Sequence, residues 1–223
     1  MFAPSNTYSS EKLLDLYGTY LIARLKADPA VASVHVSFEK SQVALNKANE
    51  RQRSAGRSLM EAVAARNYAA FLLWQEVSQF QRAMLVHVHG KRETPLYVRY
   101  FAEGEPPFST LSMPRRIEKV NVFEADLGTE PDAVGLKPWA PRLAEQRVAL
   151  EKSIAAWQHA KVLHLQAQDA EVTERSNWLK TYRTVHAELV KLFPVDRKKV
   201  DTFFRPRRSP RGGTAPEEST TAA

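Results

Sequence analysis

Apolar positions along the chain recur mainly at intervals of three and four, the spacing that lines one face of an α-helix. Leu13, Leu16, Tyr17, Tyr20, Leu21 and Leu25 form the first such stripe and predict a helix over residues 10–27, with Ser10 as its N-cap. Asp28-Pro29 then restarts the chain: the carboxylate accepts orphan N–H bonds, and proline at the first helical position loses no needed donor. No proline occurs between residues 30 and 88. Phe38, Leu45, Ala48, Ala55, Leu59 and Ala62 fall near heptad spacing there, and Leu73, Val77, Phe80, Met84 and Val88 make a second stripe. One helix of this length would span roughly 90 Å, which argues for two helices, about 29–65 and 67–89, with Asn67 capping the second. Thr94-Pro95 repeats the cap-plus-proline device and opens a short helix over 95–103, closed by Gly104.

Residues 105–140 interrupt the pattern. Rich in proline and glycine, they read as a linker carrying some local structure. Residues 112–120 suit a short helix and 120–123 an extended segment. Beyond them Leu143, Leu150, Ile154 and Trp157 mark a helix over about 141–168. Asp169 caps its successor, 170–193, whose seam is Trp178, Tyr182, Val185, Leu189 and Leu192. Phe193-Pro194 ends that helix, and Asp196 caps a last short one, 196–204, with Val200, Phe203 and Phe204. Residues 1–9 and the basic tail 205–223 are expected to be disordered.

Two stretches echo each other. VALNKANERQRSA (43–55) aligns with VALEKSIAAWQHA (148–160) at an offset of 105, with 5 identities in 13 positions. WQEVSQFQRAMLV (74–86) aligns with WLKTYRTVHAELV (178–190) at an offset of 104, with 4 in 13. The predicted architecture is therefore all-α. It is an up-down bundle of two long antiparallel helical hairpins (10–104 and 141–204), whose echo suggests an internal duplication, with an N-terminal helix and short capping helices. Duplication places Trp74 and Trp178 in comparable surroundings, and a water-facing Trp74 with a buried Trp178 overturns it.

Composition narrows the chemistry. With 43% hydrophobic and 26% charged residues in 223, the chain has the make-up of an ordinary globular protein. The absence of cysteine excludes disulfides, thiolate metal sites and a cysteine nucleophile. The start carries no basic and apolar leader, and the longest nearly apolar run, 68–74, falls far short of the roughly 20 residues that cross a bilayer. A cytoplasmic protein without a membrane span is the expectation. The net charge is +7, of which the residues from Asp196 onward contribute +3.

No spacing points to catalysis. His87/His89 and His159/His164 do not share a helix face, no Glu is followed by His three residues later, and no glycine-rich phosphate loop occurs. No catalytic, cofactor or metal residue is therefore assigned. Trp74, Trp157, Trp178 and Tyr182 lie on helical stripes and read as core, while Trp139, between prolines, plugs the bundle end or anchors a partner. The leading reading is a non-enzymatic interaction or scaffold protein that binds another protein or itself through helical faces. The alternative is a non-specific nucleic-acid-binding accessory protein, contacting phosphates through Arg51, Arg53, Arg57, Arg115, Arg116, Arg205, Arg207, Arg208 and Arg211. An enzyme of unrecognised type is third.

Overall fold

The computed structural model describes residues 4–102 and 107–205 and is all-α, with no strand among them. A first helical stretch comprises α1 (Ser10–Lys12), a π-helical turn (Leu13–Gly18) and α2 (Thr19–Lys26). A 3-10 turn (Pro29–Val31), the long α3 (Ala32–His87) and the short α4 (Pro95–Tyr100) follow. A second round has a 3-10 turn (Phe108–Thr110), α5 (Met113–Thr129), a 3-10 turn (Pro131–Leu136), the long α6 (Trp139–Leu192) and α7 (Arg197–Thr202).

Several local expectations hold. Asp28 accepts from Ala30 N at 3.1 Å, Thr94 from Tyr97 N at 3.4 Å and Asp196 from Lys199 N at 2.9 Å, so all three caps form where the sequence placed them. Others need correction. The N-cap of α1 is Ser9, not Ser10; Ser10 is buried and its hydroxyl donates to Glu171. No break occurs at 65–67 or at 169, and both long helices run through. Ala-Arg-Asn contains no residue that must leave the helix, and Arg66 lies over the Trp157 ring at 4.4 Å, so the supposed turn is a packing position. The supposed linker is also core: α5 fills about half of it, and Val120, Phe123 and Leu127 are buried at helical spacing. The proline and glycine within α5 sit at its ends, at Pro114 in the first turn and Gly128 in the last.

The chain forms two compact units, one of residues 1–52 with 167–223 and the other of 53–166. These replace the expected division into hairpins at 105–140. In unit 1 the N-terminal helices, the start of α3, the end of α6 and α7 surround a core that includes Leu21, Phe38, Trp178, Tyr182 and Phe203. In unit 2 the rest of α3, α4, α5 and the start of α6 surround Leu73, Phe80, Tyr100, Phe123 and Leu150.

Many positions of the two cores correspond. Trp74 is 38% exposed and Trp178 0%, so duplication read at an offset of 104 fails. A register of 105 succeeds along both long helices: Phe38 and Leu143, Leu45 and Leu150, Leu73 and Trp178, Val77 and Tyr182, Phe80 and Val185, Met84 and Leu189 are all buried. Before the long helices the offset is 102, pairing Leu21 with Phe123 and Leu25 with Leu127; after them it is 103, pairing Tyr97 with Val200 and Tyr100 with Phe203. The order of elements repeats as well. Each unit therefore combines the first part of one repeat with the second part of the other.

The equivalent positions carry different chemistry. In unit 1 the Leu14 carbonyl accepts the Thr19 backbone N–H that closes the π-helical turn, and also Thr19 Oγ1 and Gln42 Nε2, the two side-chain bonds each at 3.1 Å. Gln42 Oε1 accepts from Trp178 Nε1 at 2.8 Å. A Cβ at Gly18 would lie 2.0 Å from Gln42 Oε1, so a larger residue there would push the amide out of these hydrogen bonds. In unit 2 the position of Gln42 belongs to Arg147, which grips Glu124 with two hydrogen bonds (2.7 and 3.1 Å) and Glu151 with one (2.9 Å).

Tyr100 supplies a test of polar burial. Its side chain is 1% exposed and its hydroxyl has no hydrogen-bond partner among the described residues. Burial, reinforced by the negative charge of Asp126, pushes the phenol up to about 12. Tyr100→Phe removes the unpaired hydroxyl, so stability at neutral pH should be unchanged or raised by up to about 1 kcal/mol. The native phenol holds its proton where the unfolded one releases it, so this contribution is complete below about pH 10 and is lost as pH rises through about 12. Urea unfolding at pH 7 and pH 11 should show a smaller alkaline loss in the variant. An unchanged alkaline loss would refute the assignment.

Candidate interaction site

Unit 2 leaves a strip of aromatic surface uncovered. Along α3, Ala70, Leu73 and Val77 turn into the core, while Tyr68 (63% exposed), Phe71 (50%) and Trp74 (38%) stand beside them. Residues three apart on a helix are rotated by only about 60°, so these rings form one oblique row. The Phe71 and Trp74 rings lie 5.7 Å apart. Ser78 Oγ donates to the Trp74 carbonyl at 2.8 Å, on the same face.

The row borders two depressions that share Trp74 and Ser109. One, of about 430 Å³, runs past Ala70, Phe71, Met113 and Arg116. The other, of about 360 Å³, lies between Val77, Tyr97, Phe101, Phe108, Arg92 and Lys119. Its wall is held in place: Gln81 Nε2 donates to Tyr97 Oη at 3.1 Å, and Tyr97 packs on Phe101 with centroids 5.5 Å apart. Arg116 fixes the opposite rim, donating from Nε to Leu111 O at 2.9 Å and from Nη2 to Ser109 O at 2.5 Å. Its guanidinium also lies 5.8 Å from the Phe108 ring centroid.

The arginines singled out in the sequence are not gathered in this way. Arg51 is exposed in unit 1, whereas Arg53 and Arg57 are exposed in unit 2 and share a shallow depression with Glu61. Arg115 is exposed, but Arg116 is committed to backbone carbonyls. Arg205 lies over the Tyr17 ring at 6.0 Å, and Arg207, Arg208 and Arg211 fall outside the described residues. Trp139 begins α6, half-buried, with Phe80 at 6.0 Å and the Arg142 guanidinium 4.1 Å over its ring. Among the described residues no group of His, Asp or Glu could hold a metal ion, and no helix is long and apolar enough to cross a membrane.

The aromatic row contradicts the assignment of Trp74 to the core. Its signal lay in the run YAAFLLW (68–74), which goes nearly twice around a helix and is wider than any single buried stripe. Some of its apolar side chains had to face outward. No family model matches the chain, and neither a curated protein nor a solved structure is significantly similar to it.

Proposed function

We propose that the chain is a non-enzymatic interaction protein, which binds another protein or itself through the α3 face of unit 2. One observation carries this reading: Tyr68, Phe71 and Trp74 stand exposed in a row, the last two lining an apolar depression. Large aromatic side chains dominate the energetics of protein interfaces, and contiguous apolar surface is uncommon on chains that act alone.

The test compares the wild-type chain with Phe71→Ser/Trp74→Ser in affinity purification and in sedimentation. Both positions are at least 38% exposed, so the variant should keep the wild-type circular dichroism. A foreign partner should be recovered by the wild type and lost by the variant. If the partner is a second copy, the wild type should sediment as a dimer and the variant as a monomer. The same partners and the same mass for both proteins would overturn the proposal. Steeply salt-dependent oligonucleotide binding, indifferent to residues 71 and 74, would favour the nucleic-acid reading instead.

A further inference from the structure

The outward side of α3 in unit 2 carries a pattern of its own. Arg57, Met60, Ala64, Asn67, Phe71 and Trp74 follow one another at intervals of three and four, the spacing of a coiled-coil seam. All six are exposed, Met60 at 70% and Phe71 at 50%. A separate stripe, Leu59, Ala62, Val63 and Arg66, is half-buried, and Arg66 meets Trp157 of α6 there. This part of α3 thus has one seam turned towards α6 and a second, about 100° further around, that faces outward.

The two ends of the outward seam differ, and each suits the other. Arg57 and Met60 form one end, in a depression of about 530 Å³ that Arg53, Gly56 and Glu61 complete. Phe71 and Trp74 form the other end, with rings 5.7 Å apart. A guanidinium is attracted to an indole face, and a thioether to a phenyl ring. Between the ends stand the small Ala64 and the polar Asn67, whose Oδ1 already accepts from Arg66 Nη2 at 3.0 Å. Covering Asn67 therefore costs less than covering an unpaired amide.

An antiparallel copy of the same helix meets all these preferences at once. A two-fold axis passing between Ala65 and Arg66 sets Met60 against the partner's Phe71 and Arg57 against the partner's Trp74. It sets Ala64 against the partner's Asn67, and every pair occurs twice. The rings of one copy then enter the depression beside Met60 of the other. A parallel copy would set each side chain on its own equivalent: arginine on arginine, alanine on alanine, indole on indole. That arrangement repels at one end and leaves a gap in the middle.

We infer that α3 of unit 2 pairs with α3 of a second copy of this chain, antiparallel and in this register. The inference rests on the interaction reading and names the partner. The seam is short, so the dimer should be weak, dissociating in the micromolar range.

Sedimentation of the full chain at rising concentration, with charge-swapped variants, tests it. Met60→Lys and Phe71→Glu alter exposed positions, so both should keep the wild-type circular dichroism. Each alone sets a charge against an apolar side chain at both contacts and should weaken dimerisation roughly tenfold or more. An equimolar mixture of the two should dimerise to within about threefold of the wild type. One contact then pairs an ammonium with a carboxylate, and the other keeps methionine against phenylalanine. A wild-type dimer that neither variant weakens, or variants that the mixture does not restore, would overturn the inference. So would a wild-type chain that stays monomeric. If that monomer captures a foreign partner that Phe71→Ser/Trp74→Ser loses, the second copy is overturned and the interaction reading survives. If it captures none, both fall.

Discussion

Truncating Trp178 to alanine should cost unit 1 about 3–5 kcal/mol, the largest effect expected of any single change in the chain. The indole is fully buried, stacked on Tyr182 at 5.2 Å and packed on Phe38 at 5.4 Å. Its removal leaves a cavity among rings that are themselves fixed, and it takes the donor from Gln42 Oε1. Gln42 has little room to turn elsewhere, since it lies against Gly18 and is tied to the Leu14 carbonyl. Trp178→Phe separates the two losses. It keeps most of the ring volume but leaves the amide oxygen unpaired, and should cost about 1–3 kcal/mol. Urea unfolding of both variants checks this, with Leu73→Ala, at the equivalent position of unit 2, as the comparison. A cost below about 1 kcal/mol for Trp178→Ala would contradict the central place given to the indole.

Much of this arrangement is written in local patterns. The stripes Leu73–Val77–Phe80–Met84 and Trp178–Tyr182–Val185–Leu189 name the buried faces of both long helices, and the three caps follow from single side chains accepting nearby N–H groups. What local patterns leave open are features decided by a distant segment. Whether residues 65–67 turn depends on Trp157 lying opposite Arg66, and nothing within 65–67 records that. The role of Gly18 depends on Gln42, and that of Gln42 on Trp178, far along the chain. The exchange of halves between repeats is equally non-local, because a hydrophobic stripe states that it must be covered but not by which partner.

The candidate site was legible in another sense. The surplus apolar width of residues 68–74 required exposed rings, yet a reading of Trp74 alone placed it in the core. The offset of 104 reinforced that error by matching tryptophan to tryptophan. Burial, which follows packing and not residue identity, puts Leu73 opposite Trp178 and leaves Trp74 with Leu179, one step around the helix. That a valine, Val77, stands where unit 1 has the Tyr182 ring becomes visible only in that register.

Arg147 carries the second large effect and shows how far the two repeats have diverged at one position. Where unit 1 uses a neutral amide, unit 2 holds a guanidinium against Glu124, and both partners have side chains only 18% exposed. The hydrogen bonds to Glu124 are the main reason that the guanidinium is held above even its usual high pKa, so it stays charged at every ordinary pH. Arg147→Met keeps an unbranched apolar stem but removes the guanidinium and strands the Glu124 carboxylate, and should cost about 2–3 kcal/mol. Most of that cost belongs to the stranded carboxylate. Arg147→Met/Glu124→Leu removes it, and the double variant should recover most of the stability. Glu151→Gln, at a position 40% exposed, should change little, within about 0.5 kcal/mol. Equilibrium unfolding of the set separates a buried ion pair from a superficial one: if the double variant is as unstable as Arg147→Met alone, a stranded Glu124 carboxylate is not the source of the cost.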